Sequence, residues 1–269
     1  MGARQNEYAF AGHQSSVEHF DRRAIGGDAA LVVPHLYAGM RLVDFGCGAG
    51  SLTCGFAGLV APGEVVGFDT SEEAIFRARA LAEEAGLSNV QFAVANIYNL
   101  ELPADSFDVA HFSGVLMHLK EPERALALAF RSLKSRGMLA AREAQKAGDW
   151  FGGPNADSVT LLQKAILIEF FRMRGVDPFI GGRLTALARE AGFEHLEATP
   201  SYSVGLKDVT ALGRVMLSGL GQADFRAAAV QAGVSAERFD RLADEIPMWT
   251  ASEDSIAALA ECTVIGWKP

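Results

Sequence analysis

Cysteine is scarce in this chain: Cys47, Cys54 and Cys262 are the three among 269 residues. An odd, sparse set without metal-ligand spacing argues against a disulfide framework and against a cysteine metal site. Positive charge is also in short supply. With 24 Lys and Arg against 33 Asp and Glu the formal net charge is −9. No basic stripe is present to neutralise a phosphate backbone, so nucleic acid is not an expected partner. No apolar run approaches the roughly eighteen residues of a membrane span, and the N-terminus lacks the basic-then-apolar pattern of a secretory signal. The expectation is a reduced, cytoplasmic protein without a membrane partner. No H-x-x-x-H, C-x-x-C or carboxylate cluster calls for a metal, and no G-x-S-x-G calls for a hydrolase. Repeats and low-complexity tracts are absent. What remains, 49% apolar and 21% charged residues, is an ordinary globular composition with material for one domain carrying insertions.

One stretch stands out against that background. Val43-Asp44-Phe45-Gly46-Cys47-Gly48-Ala49-Gly50 closes an apolar run from Met40 to Phe45 and sets three glycines at alternate positions. The apolar segment Ser51 to Val60 follows, long enough for a short helix. The pattern predicts strand, tight turn and helix, with glycine where backbone must lie against a ligand. A glycine-rich turn without a ligand would share the pattern. A dinucleotide fold uses G-x-G-x-x-G, so that a pyrophosphate rests on the helix N-terminus. Here the spacing is G-x-G-x-G, and Asp44 stands two residues ahead of the first glycine. A carboxylate there repels a diphosphate and suits an ammonium group. The expected ligand therefore has an amino-acid end, and S-adenosylmethionine fits. Cys47, inside the turn, reads as packing or cofactor wall rather than as a nucleophile.

The next apolar run, Glu64-Val65-Val66-Gly67-Phe68-Asp69, ends in an aspartate nineteen residues beyond Gly50. In a βαβ unit this puts Asp69 at the tip of the second strand, where a carboxylate accepts from both ribose hydroxyls. The competing role is a cap on the following helix. Thr70 comes next, and Ser71-Glu72-Glu73 opens a helix predicted through Ala85.

Together these residues resemble the class I S-adenosylmethionine-dependent methyltransferases, and the likeness continues along the chain. Asn89-Val90-Gln91-Phe92-Ala93-Val94-Ala95-Asn96 looks like the third strand and the adenine-contacting position after it, with Asn96 where aspartate is usual. Leu102-Pro103-Ala104-Asp105-Ser106-Phe107-Asp108-Val109-Ala110 is similar to the family's entry to strand four, and Val115-Leu116-Met117-His118-Leu119 follows it. Leu133-Lys134-Ser135-Arg136-Gly137-Met138-Leu139 matches the turn into strand five, with Ser135 and Arg136 replacing the usual proline and glycine. Ala191-Gly192-Phe193 and Cys262 to Pro269 correspond to strands six and seven. The branch it points to is the ubiquinone/menaquinone-type, methyltransferase type 11-like group acting on small molecules. The resemblance implies an α/β fold: a doubly wound, mostly parallel seven-stranded sheet with helices on both faces, Rossmann-like, plus helical cap insertions. It implies S-adenosyl-L-methionine as cofactor, S-adenosyl-L-homocysteine as product, and cofactor contacts from Asp44, Gly46, Cys47, Gly48, Gly50, Asp69, Thr70, Asn96, Ile97 and Ser113.

Strands and helices alternate from residue 40 to residue 144, the order of a parallel sheet covered on both faces. Three segments lie outside that core. Residues 1–38 form an expected N-terminal helical cap, with helices around Ser15 to Arg23 and Asp28 to Tyr37. Residues 145–182 read as an inserted lid: the loop Gly148 to Pro154, then a helix from Ser158 to Arg174 that is apolar on more than one face. Residues 203–258 read as a helical insertion before the last strand, leaving 39–200 and 259–269 as the cofactor-binding core. Helices there are predicted at Val209 to Leu217, Asp224 to Ala232 and Glu237 to Glu245. The broad apolar face over 159–173 is compatible with core packing, an apolar ligand or a homo-oligomer.

Methyl transfer from a sulfonium is an in-line displacement that depends on positioning and water exclusion. A general base is needed only for a nucleophile that holds its proton tightly. His118, just past strand four, is the first candidate, against a structural role bonding loop backbone. Glu143, at the end of strand five, is the second, against pairing with Arg142, Lys146 or Arg183. Tyr8, His19, Trp150, Phe151 and Phe170 are candidates for the substrate side. His111, in an apolar context, reads as a satisfied core histidine, and His35 and His195 as surface or packing residues. The expected activity is methylation of a small, apolar organic acceptor on oxygen, carbon or nitrogen, in secondary-metabolite or quinone-type biosynthesis. The alternative is a cofactor-binding cyclase or isomerase on the same fold. An NAD(P)-dependent oxidoreductase is opposed by the glycine spacing and by Asp44.

Overall fold

In the computed structural model, which describes residues 25–203 and 209–269, the predicted alternation is present element by element. After one helical turn at Ile25–Asp28 come β1 (Leu42–Phe45), α1 (Ser51–Val60), β2 (Val65–Asp69), α2 (Glu72–Glu84), β3 (Val90–Val94), β4 (Phe107–Ser113), α3 (Pro122–Ser132) and β5 (Leu133–Ala144). Then follow β6 (Trp150–Gly152), α4 (Ala156–Leu161), α5 (Leu167–Met173), α6 (Leu184–Glu190), β7 (Glu194–Ser203), α7 (Val209–Leu220), α8 (Ala223–Gln231), α9 (Ala236–Ala251) and β8 (Ile256–Trp267). Local chemistry accounts for several boundaries. The Ser71 hydroxyl accepts from the Ala74 amide at 3.2 Å, and Glu72 and Glu73 sit in the first turn of α2, at its positive end. Pro122 opens α3, where its missing N–H costs nothing. Ser235 caps α9, whose buried Phe239, Leu242, Ile246 and Trp249 recur at helical spacing.

The chain divides into two units. The larger comprises the described residues up to Glu143 with Gly181–Thr199 and Cys262–Pro269. Its strands lie in the order β3-β2-β1-β4-β5-β8, with β7 also paired to β8. The pairs β1–β2, β1–β4, β2–β3 and β4–β5 are all parallel. All four residues of β1 are buried, as suits a central strand that is hydrophobic on both faces. Leu42, Val65, Val109, Met138, Ala140 and Ile265 from the sheet pack with Leu52, Phe56, Ala57 and Val60 of α1. Strand order reverses between β1 and β4. In such sheets the crevice beyond the strand ends at that reversal is where ligands bind.

The second unit comprises Ala144–Ile180 with Pro200–Glu261. There β6 pairs antiparallel with the first half of β8, Phe151 opposite Ala257. Its core is aromatic. Trp249 is fully buried, donates its indole N–H to the Gly152 carbonyl at 2.9 Å, and meets Phe151 edge-on. Phe170 packs on Phe225 with ring centroids 4.4 Å apart. Asp149, also buried, joins Lys146 at 3.0 Å and accepts from the Ala260 amide at 2.8 Å.

Three expectations need correction. Residues 28–37 do not form one helix: Pro34 cannot donate within it, and the chain makes a turn and then a 3₁₀ turn at Val33–His35. The 148–154 stretch is not all loop, because Trp150–Gly152 finds a partner in β8; the described strands number eight. The helix expected over 158–174 runs on from α4 into α5, but through a π-helical stretch at Leu162–Ile166. The helix expected near Ser15 to Arg23 lies outside the described residues. Among the described residues, no helix is long and apolar enough to cross a membrane.

Candidate active site

The glycine turn leaves β1 at the crevice of the sheet. Gly46, Gly48 and Gly50 all have positive φ, at 69°, 55° and 83°, a region that side-chain-bearing residues rarely occupy. Their surroundings separate them. A Cβ on Gly46 would collide with Val115, and one on Gly50 would lie 2.8 Å from Ala78 and 2.9 Å from Phe92. Those two glycines are demanded by packing. Among the described residues, nothing lies within 4 Å of the Gly48 Cβ position. Space beside its backbone is kept open rather than filled, as a ligand lying along the turn requires.

Asp69 reaches back from the tip of β2 to this turn. Its Oδ2 accepts from the Gly48 amide at 3.0 Å and its Oδ1 from the Ser71 amide at 2.9 Å. Burial raises its carboxyl above the ordinary value of 3.8, opposed by the backbone N–H groups of Ser71, Gly48 and Thr70. An ionised carboxylate has about four acceptor positions, so each oxygen keeps capacity for a hydroxyl. Thr70 is exposed beside it.

Asp44 is placed differently. Its carboxylate is 3% exposed and bonded on both oxygens: Thr53 Oγ1 donates to Oδ2 at 2.6 Å, and His111 Nδ1 lies 2.7 Å from Oδ1. His111 stands opposite Asp44 in the β1–β4 register and meets Phe56 edge-on. The core-histidine reading of His111 is therefore right about burial, but its partner is an expected cofactor residue. The signal was Asp44 as the one polar residue of β1 and His111 between Ala110 and Phe112 in the adjoining β4. Between the two carboxylates, the Cys47 thiol is pushed well up, first by burial and then by the negative charges of Asp44 and Asp69. It stays protonated and packs with Cys54, Ile75 and Phe92.

Asn96 is half-buried, and its Oδ1 accepts from the Tyr98 amide at 3.0 Å, which turns its NH₂ away from that backbone. Ile97 follows in the 3₁₀ turn that Asn96 caps. Ser113 is buried at the end of β4.

The loop after β4 shows what Glu143 does. Its carboxylate is buried and accepts from three consecutive amides, Val115 at 2.8 Å, Leu116 at 2.7 Å and Met117 at 3.3 Å. Three amide bonds on one carboxylate favour a structural role for Glu143 over the expected one at the reacting centre. It is a positioning residue: it folds the turn that ends at His118 and seats Val115 against Gly46. Arg142, the rival partner expected for Glu143, meets Asp28 at 3.0 Å. His118 is half-buried at the last position of the turn.

The residues expected on the substrate side do not share one setting. Phe151 and Phe170 are buried in the aromatic core of the second unit, whereas Trp150 is 55% exposed. Tyr8 and His19 lie outside the described residues.

With this geometry in hand, likeness to known proteins is informative. Residues 36–166 match a methyltransferase domain family. "Probable methyltransferase ltbC" of Aspergillus luteorubrus is 26% identical over 98% of each chain. A ubiquinone/menaquinone biosynthesis C-methyltransferase, UbiE, of Yersinia enterocolitica is 36% identical over 40% of this chain and 44% of its own. The chain spans about half the length of several other curated relatives it matches. The crystal structure of the [4+2]-cyclase SpnF superposes with a TM-score of 0.59 at 20% identity, covering 97% of this chain and 93% of that one. The match supports a class I methyltransferase domain over residues 36–166. The fold is the doubly wound α/β fold of solved methyltransferases, one of them determined in complex with S-adenosyl-L-methionine.

Proposed function

We propose that this protein transfers a methyl group from S-adenosylmethionine to a small, apolar organic acceptor, on oxygen, carbon or nitrogen. The observation that carries the reading is the turn itself. Gly48 is left open where packing closes around Gly46 and Gly50, and the buried Asp44 and half-buried Asp69 flank it. When bound, S-adenosylmethionine supplies a methyl group made electrophilic by the sulfonium. The chain's own residues do the rest. Asp44 attracts the ammonium of the amino-acid end, and Asp69, with Thr70 beside it, accepts from the ribose hydroxyls. Asn96 and Ile97 meet the adenine, while Cys47 and Ser113 wall the cleft. His118 takes the proton of an acceptor hydroxyl, amine or carbon acid where that proton must leave. The likeness to a quinone-pathway C-methyltransferase over its matched part supports an aromatic or quinone-type acceptor in a biosynthetic pathway.

The test is to incubate the protein with S-adenosylmethionine and a panel of phenols, quinols and terpenoid alcohols, following S-adenosylhomocysteine and methylated product together. Coupled appearance of the two is expected. His118→Ala should lower turnover about hundredfold while cofactor affinity is kept. Cofactor binding with an acceptor that is isomerised or cyclised, and no S-adenosylhomocysteine released, would replace methyl transfer with the cyclase reading.

A further inference from the structure

Asp44 is not simply a charge at the end of a strand; it is a charge in a holder. Asp44, His111 and Thr53 are 3%, 2% and 0% exposed. They come from three different elements, β1, β4 and the first turn of α1, and converge on one carboxylate. Each oxygen receives one short bond, 2.7 Å from His111 and 2.6 Å from Thr53. The parallel register sets His111 directly beside Asp44, and the Phe56 ring, with its centroid 4.8 Å from that of His111, limits rotation of the imidazole.

We propose that His111 and Thr53 are positioning residues for the amino-acid end of the cofactor, acting through Asp44; this rests on the functional reading above. An ionised carboxylate only accepts, so Nδ1 of His111 carries the hydrogen of that bond. The imidazole N–H and the Thr53 hydroxyl hold the carboxylate plane. A lysine or arginine at position 111 would hold it and neutralise it. Two bonds, one on each oxygen, also fix which lone pairs remain to face an ammonium. In a dry site a carboxylate so fixed needs no reorganisation when its ligand arrives.

The experiment is calorimetric titration with two ligands that differ at the end in question. S-adenosylhomocysteine has the amino-acid end, and 5′-methylthioadenosine lacks it. Wild-type protein should bind both. His111→Leu and Thr53→Val should each weaken S-adenosylhomocysteine about tenfold, in line with a hydrogen bond to a charged group. Both should leave methylthioadenosine within about twofold of wild type. His111→Asn, whose amide nitrogen can take the place of Nδ1, and Thr53→Ser should restore S-adenosylhomocysteine binding. Where His111→Leu does not fold, Thr53→Val and the His111→Asn rescue carry the result. Equal loss of both ligands, or no loss of either, overturns the positioning role while leaving the cofactor reading intact. A wild-type protein that binds neither ligand overturns the cofactor reading and this inference with it.

Discussion

The ends of β1 and β2 each carry an aspartate, Asp44 buried and Asp69 half-buried, and the two are built in opposite ways. Asp44 is held by side chains, His111 and Thr53, from elements far apart in sequence. Asp69 is held by backbone amides, those of Gly48 and Ser71, the second of them only two residues away. A carboxylate held by side chains can be loosened by substituting its neighbours. One held by backbone can be loosened only by changing the carboxylate or the turn. Glu143 belongs with Asp69 in this respect, since three successive amides bind it.

Removing a backbone-held carboxylate should therefore have the largest structural cost. Glu143→Ala leaves the Val115, Leu116 and Met117 amides without their acceptor, and a buried unsatisfied donor costs about 1–3 kcal/mol. Destabilisation of at least about 3 kcal/mol in chemical denaturation is expected, with Glu143→Gln recovering part of it. A Glu143→Ala protein as stable as wild type, but catalytically dead, would return Glu143 to the reacting centre.

Gly48 offers the converse change, with more cost to binding than to the fold. Gly48→Val puts a side chain into open space and into a positive-φ conformation. Cofactor affinity should fall more than about a hundredfold, or about 2.7 kcal/mol, while the helical circular dichroism persists. If the folded variant binds S-adenosylhomocysteine normally, the open space beside Gly48 is not the cofactor's. Asp69→Ala is expected to cost somewhat less, about 1–3 kcal/mol of cofactor affinity. Unchanged titration curves would assign Asp69 to holding the turn alone.

The same contrast explains what could be read in advance. Asp69 and the glycine turn were legible because their roles are local. Positive φ calls for glycine, and an apolar run ending in aspartate marks a strand tip. The parallel core was legible for a similar reason, since its strands are buried runs separated by capped helices. The backbone bonds of Glu143 were hidden because the amides it serves lie 26 to 28 positions upstream. The strand at Trp150–Gly152 is too short to show a period, and it exists only by pairing with residues more than a hundred positions on. Pro247 reads as a breaker, yet it is accommodated inside α9, where Phe239, Leu242, Ile246 and Trp249 are buried along one face. Tertiary packing outweighed propensity there.

The smallest effect concerns protons, and it tests whether backbone bonds or burial dominate at Asp69. Burial is the larger influence and raises the folded carboxyl above 3.8, the value expected without it. The native state then binds this proton more tightly than the unfolded chain does. By linkage, the stability contributed by the protonated form is present at pH values below about 3.8. It is lost as pH rises through the raised folded value. Asp69→Asn removes the titration and keeps the shape. The wild-type stability, measured relative to Asp69→Asn without cofactor, should therefore fall as pH rises across that window and stay level above it. A difference that rises with pH would mean that the Ser71, Gly48 and Thr70 amides stabilise the charge more than burial opposes it. Asp69 would then be a carboxylate already fully served by the protein, and Asp44 would be the better anchor for a cationic ligand.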